Sequence, residues 1–466
     1  MEKTVTRYGP AFISLGLISL LSIGGEGHGS ARVKPVADQA RAARIAYLKE
    51  HALPVRSIDA EDIDFADLEP LREVIGGRRV VMLGESTHGD GATFAAKCRL
   101  IRFLHERMGF DALAFESGFY DTRKGWSALR AGEDPLKAVS SGIDPIWSSS
   151  RQIQPLWRYL AAQSKTDHPL ELCGFDSQFT GDASDKYLLK DLGGYLTKIE
   201  IAPPAAGAAS RVTAALALVL NEPNFLRNGS PFKKIQPAEQ DSILSAFRAL
   251  GAALRSLRPS DESESFERDY WVQFLKSGAA FLEQSWLIDL ESRDLAAFNK
   301  VFNLRDRQMG DNFDWLAKRA YPARKIIVWA ATSHVIRRRS LLAKFNDPLV
   351  AMGDWINEAM GAEVYALGFT AYKGRWGDVG MALSTEVIPP EPNSLEALLF
   401  SAGFEYALVD FRNPAAAGAW LREPLSCSFL RSKPMSTDWS RVVDGMFFIK
   451  EMFPSARIEE NFLKDE

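Results

Sequence analysis

Val80-Val81-Met82-Leu83-Gly84-Glu85-Ser86-Thr87-His88-Gly89 is the run from which the architecture of this chain is most directly read. Four successive apolar residues, led by two β-branched valines, predict a strand buried on both faces, as in a parallel sheet. Glycine ends the run, and a carboxylate and an imidazole follow it three residues apart. Reactive groups therefore stand just past the end of a strand, where open α/β sheets bind ligands.

Beyond this run, Asp90 to Met108 reads as a helix: Phe94, Cys98, Ile101, Leu104 and Met108 recur at helical spacing and Gly109 closes it. A second apolar run, Ala112-Leu113-Ala114-Phe115, ends in Glu116. Glu85 and Glu116 thus bracket one strand–helix–strand unit, and parallel neighbouring strands would carry both carboxylates to one edge. Strand candidates at 79–83, 112–115, 170–175, 325–330, 363–368 and 406–411 predict an α/β fold with a doubly wound, mainly parallel central sheet and helices on both faces. Between about 184 and 321 the periods are helical, as in Ile243, Phe247, Leu250, Leu254 and Leu257, and no strand interrupts them. That stretch reads as a helical insertion within one domain spanning 32–466.

The 466 residues carry 56 basic and 60 acidic side chains, a net charge of −4, and no dense basic tract. Nothing in that balance favours nucleic acid as a partner. Lys3 and Arg7 precede an apolar stretch from Ala11 to Ile23 and then Gly29-Ser30-Ala31, the order of a secretory signal with a small-residue cleavage site. Residues 1–31 are therefore expected to be removed, placing the protein in the periplasm or outside the cell. The apolar stretch is too short to span a bilayer, so no stable membrane insertion is expected after signal removal. Cys98, Cys173 and Cys427 allow one disulfide at most, and Cys98 and Cys173 read as buried structural thiols.

The residues just past the strands are Glu85 and His88, then Glu116, then Asp176 and Gln178, then His334 after Ile326-Ile327-Val328-Trp329. Hydrolysis needs a base to strip a proton from water and a donor to hold negative charge on the attacked carbonyl. Histidine with carboxylates and nearby cations meets both needs. Lys97 on the first helix and Arg305 are the cationic candidates, and Arg305, Met309 and Asn312 share one helix face. Each has an ordinary explanation taken singly: a helix-end charge for Glu85, a turn for Asp176, a solvated face for Lys97, surface salt bridges for Arg305. Their collection at strand ends favours a site with His88, Glu85, Glu116, His334 and Lys97 as catalytic candidates and Asp176, Gln178, Arg305 and Asn312 as substrate contacts.

There is no Gly-x-Ser-x-Gly, His-Glu-x-x-His, P-loop or Gly-x-Gly-x-x-Gly, so water is the expected nucleophile and no cofactor is implied. No spacing resembles a zinc cluster, and no metal is expected. Two other readings stay open. One is a metal-dependent hydrolase ligated by Glu85, His88, Glu116 and His334; the other is a non-catalytic binder of a polyketide, glycan or envelope ligand in the same cleft.

These motifs resemble those of the erythromycin esterase family. The matching pieces run colinearly from about Val80 to Arg375: Gly84-Glu85-Ser86-Thr87-His88-Gly89, Gly109-Phe110 before the strand ending in Glu116, Gly174-Phe175-Asp176-Ser177-Gln178, Arg305-Asp306 with Met309 and Asn312, Trp329-Ala330 up to His334-Val335, Met352-Gly353, and Ala366-Leu367-Gly368-Phe369. The resemblance implies metal-independent hydrolysis of a small-molecule ester or lactone, with His88 as general base on water and Glu85 and Glu116 positioning it. It puts Lys97 where members usually carry a basic residue, often arginine, and His334 across the cleft. Members typically have Trp-Ala-His-Asn-x-His where this chain has Trp329-Ala330-Ala331-Thr332-Ser333-His334, lacking one histidine and the asparagine. The resemblance therefore implies an ester or lactone hydrolase more firmly than macrolide cleavage.

Overall fold

The apolar run at 80–83 is buried on both sides because it lies in the middle of a sheet. In the computed structural model, residues 34–458 are described apart from 202, 223–224, 228, 290–291, 293, 343–348, 378–382 and 431–432, so the expected signal segment lies outside the described residues. The strands are β1 (Leu53–Val55), β2 (Val80–Glu85), β3 (Phe110–Gly118), β4 (Glu171–Asp176), β5 (Lys325–Ala331), β6 (Val364–Gly377), β7 (Ser384–Glu386), β8 (Tyr406–Asp410), β9 (Leu425–Leu430), β10 (Lys433–Thr437) and β11 (Gly445–Met452). The main sheet runs β1-β8-β11-β6-β2-β5-β3-β4, with β7 paired to β6, while β9 and β10 form a separate hairpin. From β11 to β4 all neighbours are parallel; β8 and β1 close one edge antiparallel.

The fold is thus α/β with a mainly parallel sheet, and the six expected strands fall on β2, β3, β4, β5, β6 and β8. Two findings correct the sequence reading. First, β2 and β3 are not neighbours: β5 lies between them, with Leu83 opposite Trp329 and Trp329 opposite Phe115. Glu85 and Glu116 still share the sheet's carboxyl edge, but across an intervening strand. Second, β11 is a central strand that was not anticipated. Its core, Met446-Phe447-Phe448-Ile449, is buried throughout, and an apolar run without alternation cannot be told from a buried helix segment by periodicity.

Alternate side chains along each parallel strand enter different layers. Val81, Leu83, Leu113, Phe115, Ile327 and Trp329 pack with the helix Gly91–Met108. Val80, Met82, Ala112, Ala114, Ile326 and Val328 pack with helices drawn from residues 184–320. Those helices include Leu189–Lys198, Pro203–Leu220, Pro237–Ser256, Glu262–Leu287 and Leu295–Trp315, with no strand among the described residues of that stretch. All three cysteines are buried and free, and no helix among the described residues is long and apolar enough to cross a membrane.

Gly84 is required by packing rather than by backbone angle. A Cβ there would lie 2.5 Å from Val335 Cγ2 and 2.9 Å from Thr332 Cα. The bare glycine lets the short helix Thr332–Val335, which follows β5, press against β2. That contact brings the Glu85 and His334 strand ends together.

Candidate active site

At the end of β2, Glu85 points into the protein with no solvent exposure. A carboxylate buried there needs partners, and each oxygen has them. Oε1 accepts from Trp147 Nε1 at 3.0 Å and lies 3.2 Å from His88 Nδ1. Oε2 accepts from Lys97 Nζ. Lys97 is itself fully buried, one turn and a half into the helix Gly91–Met108, and its ammonium sits 4.0 Å above the Trp329 ring. Burial pulls the Lys97 amine below its ordinary value against the opposing pull of Glu85.

His88 is bound through Nδ1, so its Nε2 is the nitrogen left to meet water or substrate. Its side chain keeps 11% exposure, against none for Glu85. Trp147, from the short helix Pro145–Ser148, meets the imidazole edge-on at 4.9 Å. The loop that carries His88 is fixed by Asp90, which accepts from Thr87 N at 2.8 Å. Thr87 Oγ1 lies 2.7 Å from both Asp90 Oδ1 and the Gly377 carbonyl. Burial pushes the Asp90 carboxyl up to about 7 against the hydrogen bonds it accepts from Thr87.

The ends of β3, β4 and β5 build a second group around Glu116. Its Oε1 accepts from Arg305 Nη2 at 3.1 Å and lies 3.2 Å from His334 Nε2; its Oε2 accepts from the Ala331 N–H at 2.6 Å. Arg305 also donates through Nε to Asp176 Oδ1 at 3.2 Å. His334 Nδ1 is 2.8 and 2.9 Å from the two oxygens of Asp306, and Phe302 stacks on its ring at 5.4 Å. Burial pulls His334 down, but Asp306 and Glu116 more than offset it and raise the imidazole to about 9. Burial pushes Glu116 up, yet His334, His88 and Arg305 together carry it well below the carboxylate range. Arg305 Nη1 also lies 3.2 Å from His334 Nε2. Arg305 keeps 18% side-chain exposure and is the cation that faces outward.

The structure therefore brings together Glu85, His88, Glu116, His334, Asp176, Arg305 and Lys97 at one sheet edge, in roles that differ from residue to residue. Lys97 lies behind Glu85 and has no path to substrate, which corrects the expectation that it steadies an oxyanion. Asn312 is also corrected. It is buried, its oxygen accepts from Gln273 and Gln308, and its amide donates to Phe175 O at 2.9 Å and Ser277 Oγ at 3.0 Å. It ties the helix bearing Arg305 to β4 and is not a substrate contact. Gln178 is buried and meets Asp176 through its backbone N–H, at 3.2 Å.

Trp147, which sequence reading did not single out, and Asp306, which it quoted beside Arg305 without a role, are the further partners. Asp306 adjoins Arg305, but one helix position separates a partner of His334 from a partner of Glu116 only once the fold is known. Trp147 gives no local signal beyond Asp144-Pro145, a helix start capped by Asp144 Oδ1 on Ile146 N at 2.9 Å. Burial pushes the Asp144 carboxyl up to about 6 against the pull of that amide and of His88. The four residues of the metal reading do not converge, because the oxygens of Glu85 and Glu116 are already spent on Lys97, Trp147, Arg305 and Ala331 N–H. Among the described residues no group of three His, Cys, Asp or Glu side chains is arranged to hold an ion.

Ala331 and Thr332, which replace the family histidine and asparagine, have structural duties. Ala331 anchors Glu116 through its backbone, and Thr332 Oγ1 donates to Gly84 O at 2.9 Å, joining β5 to β2.

A family model described as erythromycin esterase matches residues 105–452. A Bacillus subtilis (strain 168) protein, YbfO, whose name places it among hydrolases, is 27% identical over 427 residues, covering 89% of this chain and 92% of its own. Erythromycin esterase type II of Escherichia coli is 22% identical over 389 residues, 79% of this chain and 88% of that protein. Among solved structures, a Bacillus cereus protein superposes with a TM-score of 0.71 at 18% identity, covering 90% of this chain and 99% of its own. An erythromycin esterase mutant in its open conformation superposes with a TM-score of 0.62 at 19% identity, covering 88% and 99%.

Proposed function

The chain belongs to the erythromycin esterase family, and from that premise we propose that it is an exported, metal-independent hydrolase that opens a small-molecule ester or lactone with water activated by His88. Family membership supports hydrolysis; the finer reading rests on the site. The observation that carries it is the bonding of His88: Nδ1 is held by Glu85, whose other oxygen is held by the buried Lys97, while the ring keeps an open side. An imidazole fixed in this way presents Nε2 as an acceptor for a water proton. As the proton arrives, the carboxylate of Glu85 stabilises the imidazolium without moving.

Negative charge develops on the attacked carbonyl oxygen. Arg305, part-exposed and clamped by Glu116 and Asp176, is the donor placed to meet it. His334 adds positive charge behind Arg305 while remaining bound to its two carboxylates. Residues 1–31 are the export signal in this reading, and 32–466 form one domain.

A panel of esters and lactones, macrolides included, assayed with the mature protein and with His88→Asn tests the proposal. The variant is expected to lose about 10²- to 10⁴-fold in kcat. Full activity in His88→Asn would overturn the role of His88. Tight binding of a panel member with no turnover by the wild type would favour a binding protein instead.

A further inference from the structure

We propose that a groove in the helical layer, between the helices Phe119–Ala131, Leu189–Lys198 and Glu262–Leu287, binds a small ring-bearing carboxylate at a site separate from the hydrolytic centre. The groove encloses about 700 Å³ and shares no lining residue with the centre built on His88 and Glu116. That volume suits a small molecule of one or two rings.

Its floor is aromatic. Trp271 stacks with Tyr195 at a centroid distance of 5.7 Å and meets Tyr270 edge-on at 5.5 Å, and Tyr120 also lines the groove. Such surfaces favour a flat ring or the C–H face of a sugar. The Tyr270 side chain is 3% exposed. The Arg123 guanidinium lies 3.9 Å from the same ring.

The charges on the walls do not cancel. Each carboxylate of the lining is already engaged: Asp191 by Lys124 at 2.9 Å and by Tyr120 Oη at 2.6 Å, Glu267 by Arg123, and Glu264 by Lys198 at 3.5 Å. Arg268 is held by Asp269, at 2.8 Å. Lys190, exposed on one wall beside Asp191, and Arg258, exposed in the segment before the helix Glu262–Leu287, bring the lining to six cationic side chains against three carboxylates. An aromatic floor and an excess of cations drawn from different elements together describe a site for a ring and a carboxylate.

Titration calorimetry on the mature chain tests this with 2-naphthoate, glucuronate and the neutral 2-naphthalenemethanol. At least one carboxylate is expected to bind at one site per chain, at least about tenfold more tightly than the alcohol. The surface double variant Lys190→Ala/Arg258→Ala should weaken it by at least about tenfold, and added salt should do the same to the wild type. His88→Asn should leave it unchanged. Tighter binding of 2-naphthoate marks an aryl acid, and tighter binding of glucuronate a sugar acid. The proposal is overturned if neither carboxylate binds at about 10 mM, if the double variant binds as the wild type does, or if His88→Asn abolishes binding.

Discussion

His88 and His334 follow neighbouring strands of one sheet and sit in opposite electrical settings. His88 has one carboxylate partner, Glu85, and must share it with Lys97 and the Trp147 indole. His334 lies between two carboxylates, Asp306 and Glu116, under the Phe302 ring, and holds a proton up to about pH 9. The first ring has its partner's charge largely claimed by others and keeps an open edge. The second is enclosed and charged. What an imidazole does here is set by how many acids face it and how many cations those acids already serve.

The sharpest way to break this contrast is to remove each ring in turn. His88→Asn should lower kcat by about 10²- to 10⁴-fold while leaving the melting temperature close to the wild type, since the side chain is part-exposed and has one partner. His334→Asn should do the reverse in emphasis. It takes from buried Asp306 and Glu116 the cation they share, leaving Glu116 with Arg305 and Asp306 with the Met352 N–H, and breaking such a buried pair costs about 3–5 kcal/mol, read in a denaturant melt. Equal stability losses in the two variants would dissolve the distinction.

A smaller effect is expected from Trp147→Phe, which keeps a ring against His88 and deletes the N–H to Glu85. A hydrogen bond to a charged group contributes about 1.5–3 kcal/mol, so kcat/KM should fall by about one to two orders of magnitude. A change in the pH profile is expected as well, because Glu85 then has one donor fewer; an unchanged profile would make Trp147 a packing residue only.

The contrast also sets the pH dependence of stability. The folded value of His334, about 9, lies above its ordinary 6.5, so its contribution is fully present below about pH 6.5 and is lost as pH rises through 9. Glu116 has the opposite sign. Its folded value is depressed, so its contribution is present above the ordinary carboxylate range and is lost as pH falls. Unfolding free energies from pH 5 to 10 for wild type and His334→Asn should converge at the alkaline end.

Much of this arrangement is legible in the amino-acid sequence, and the rest fails to be so for physical reasons. Strand ends announce themselves where an apolar run meets glycine and charge, which is why Glu85, His88, Glu116, Asp176 and His334 could be named from one sequence. Pairing order does not: β5, more than 200 residues after β3, enters between β2 and β3 through contacts that leave no local trace. Orientation about a helix axis is similarly hidden. Lys97 and Asn312 sit at plausible spacings, yet one turns in behind Glu85 and the other into a knot of amides. The C-terminal strand β11 was silent because a buried run without alternation carries no period.

Side-chain ¹⁵N NMR of the imidazoles, recorded from pH 5 to 10 with His88→Asn and His334→Asn as assignments, addresses the contrast most directly. The account predicts that His334 carries protons on both nitrogens through pH 7 and gives one up near pH 9, and that His88, when neutral, carries its proton on Nδ1. A neutral His334 at pH 7, or a His88 protonated on Nε2 alone, would contradict it.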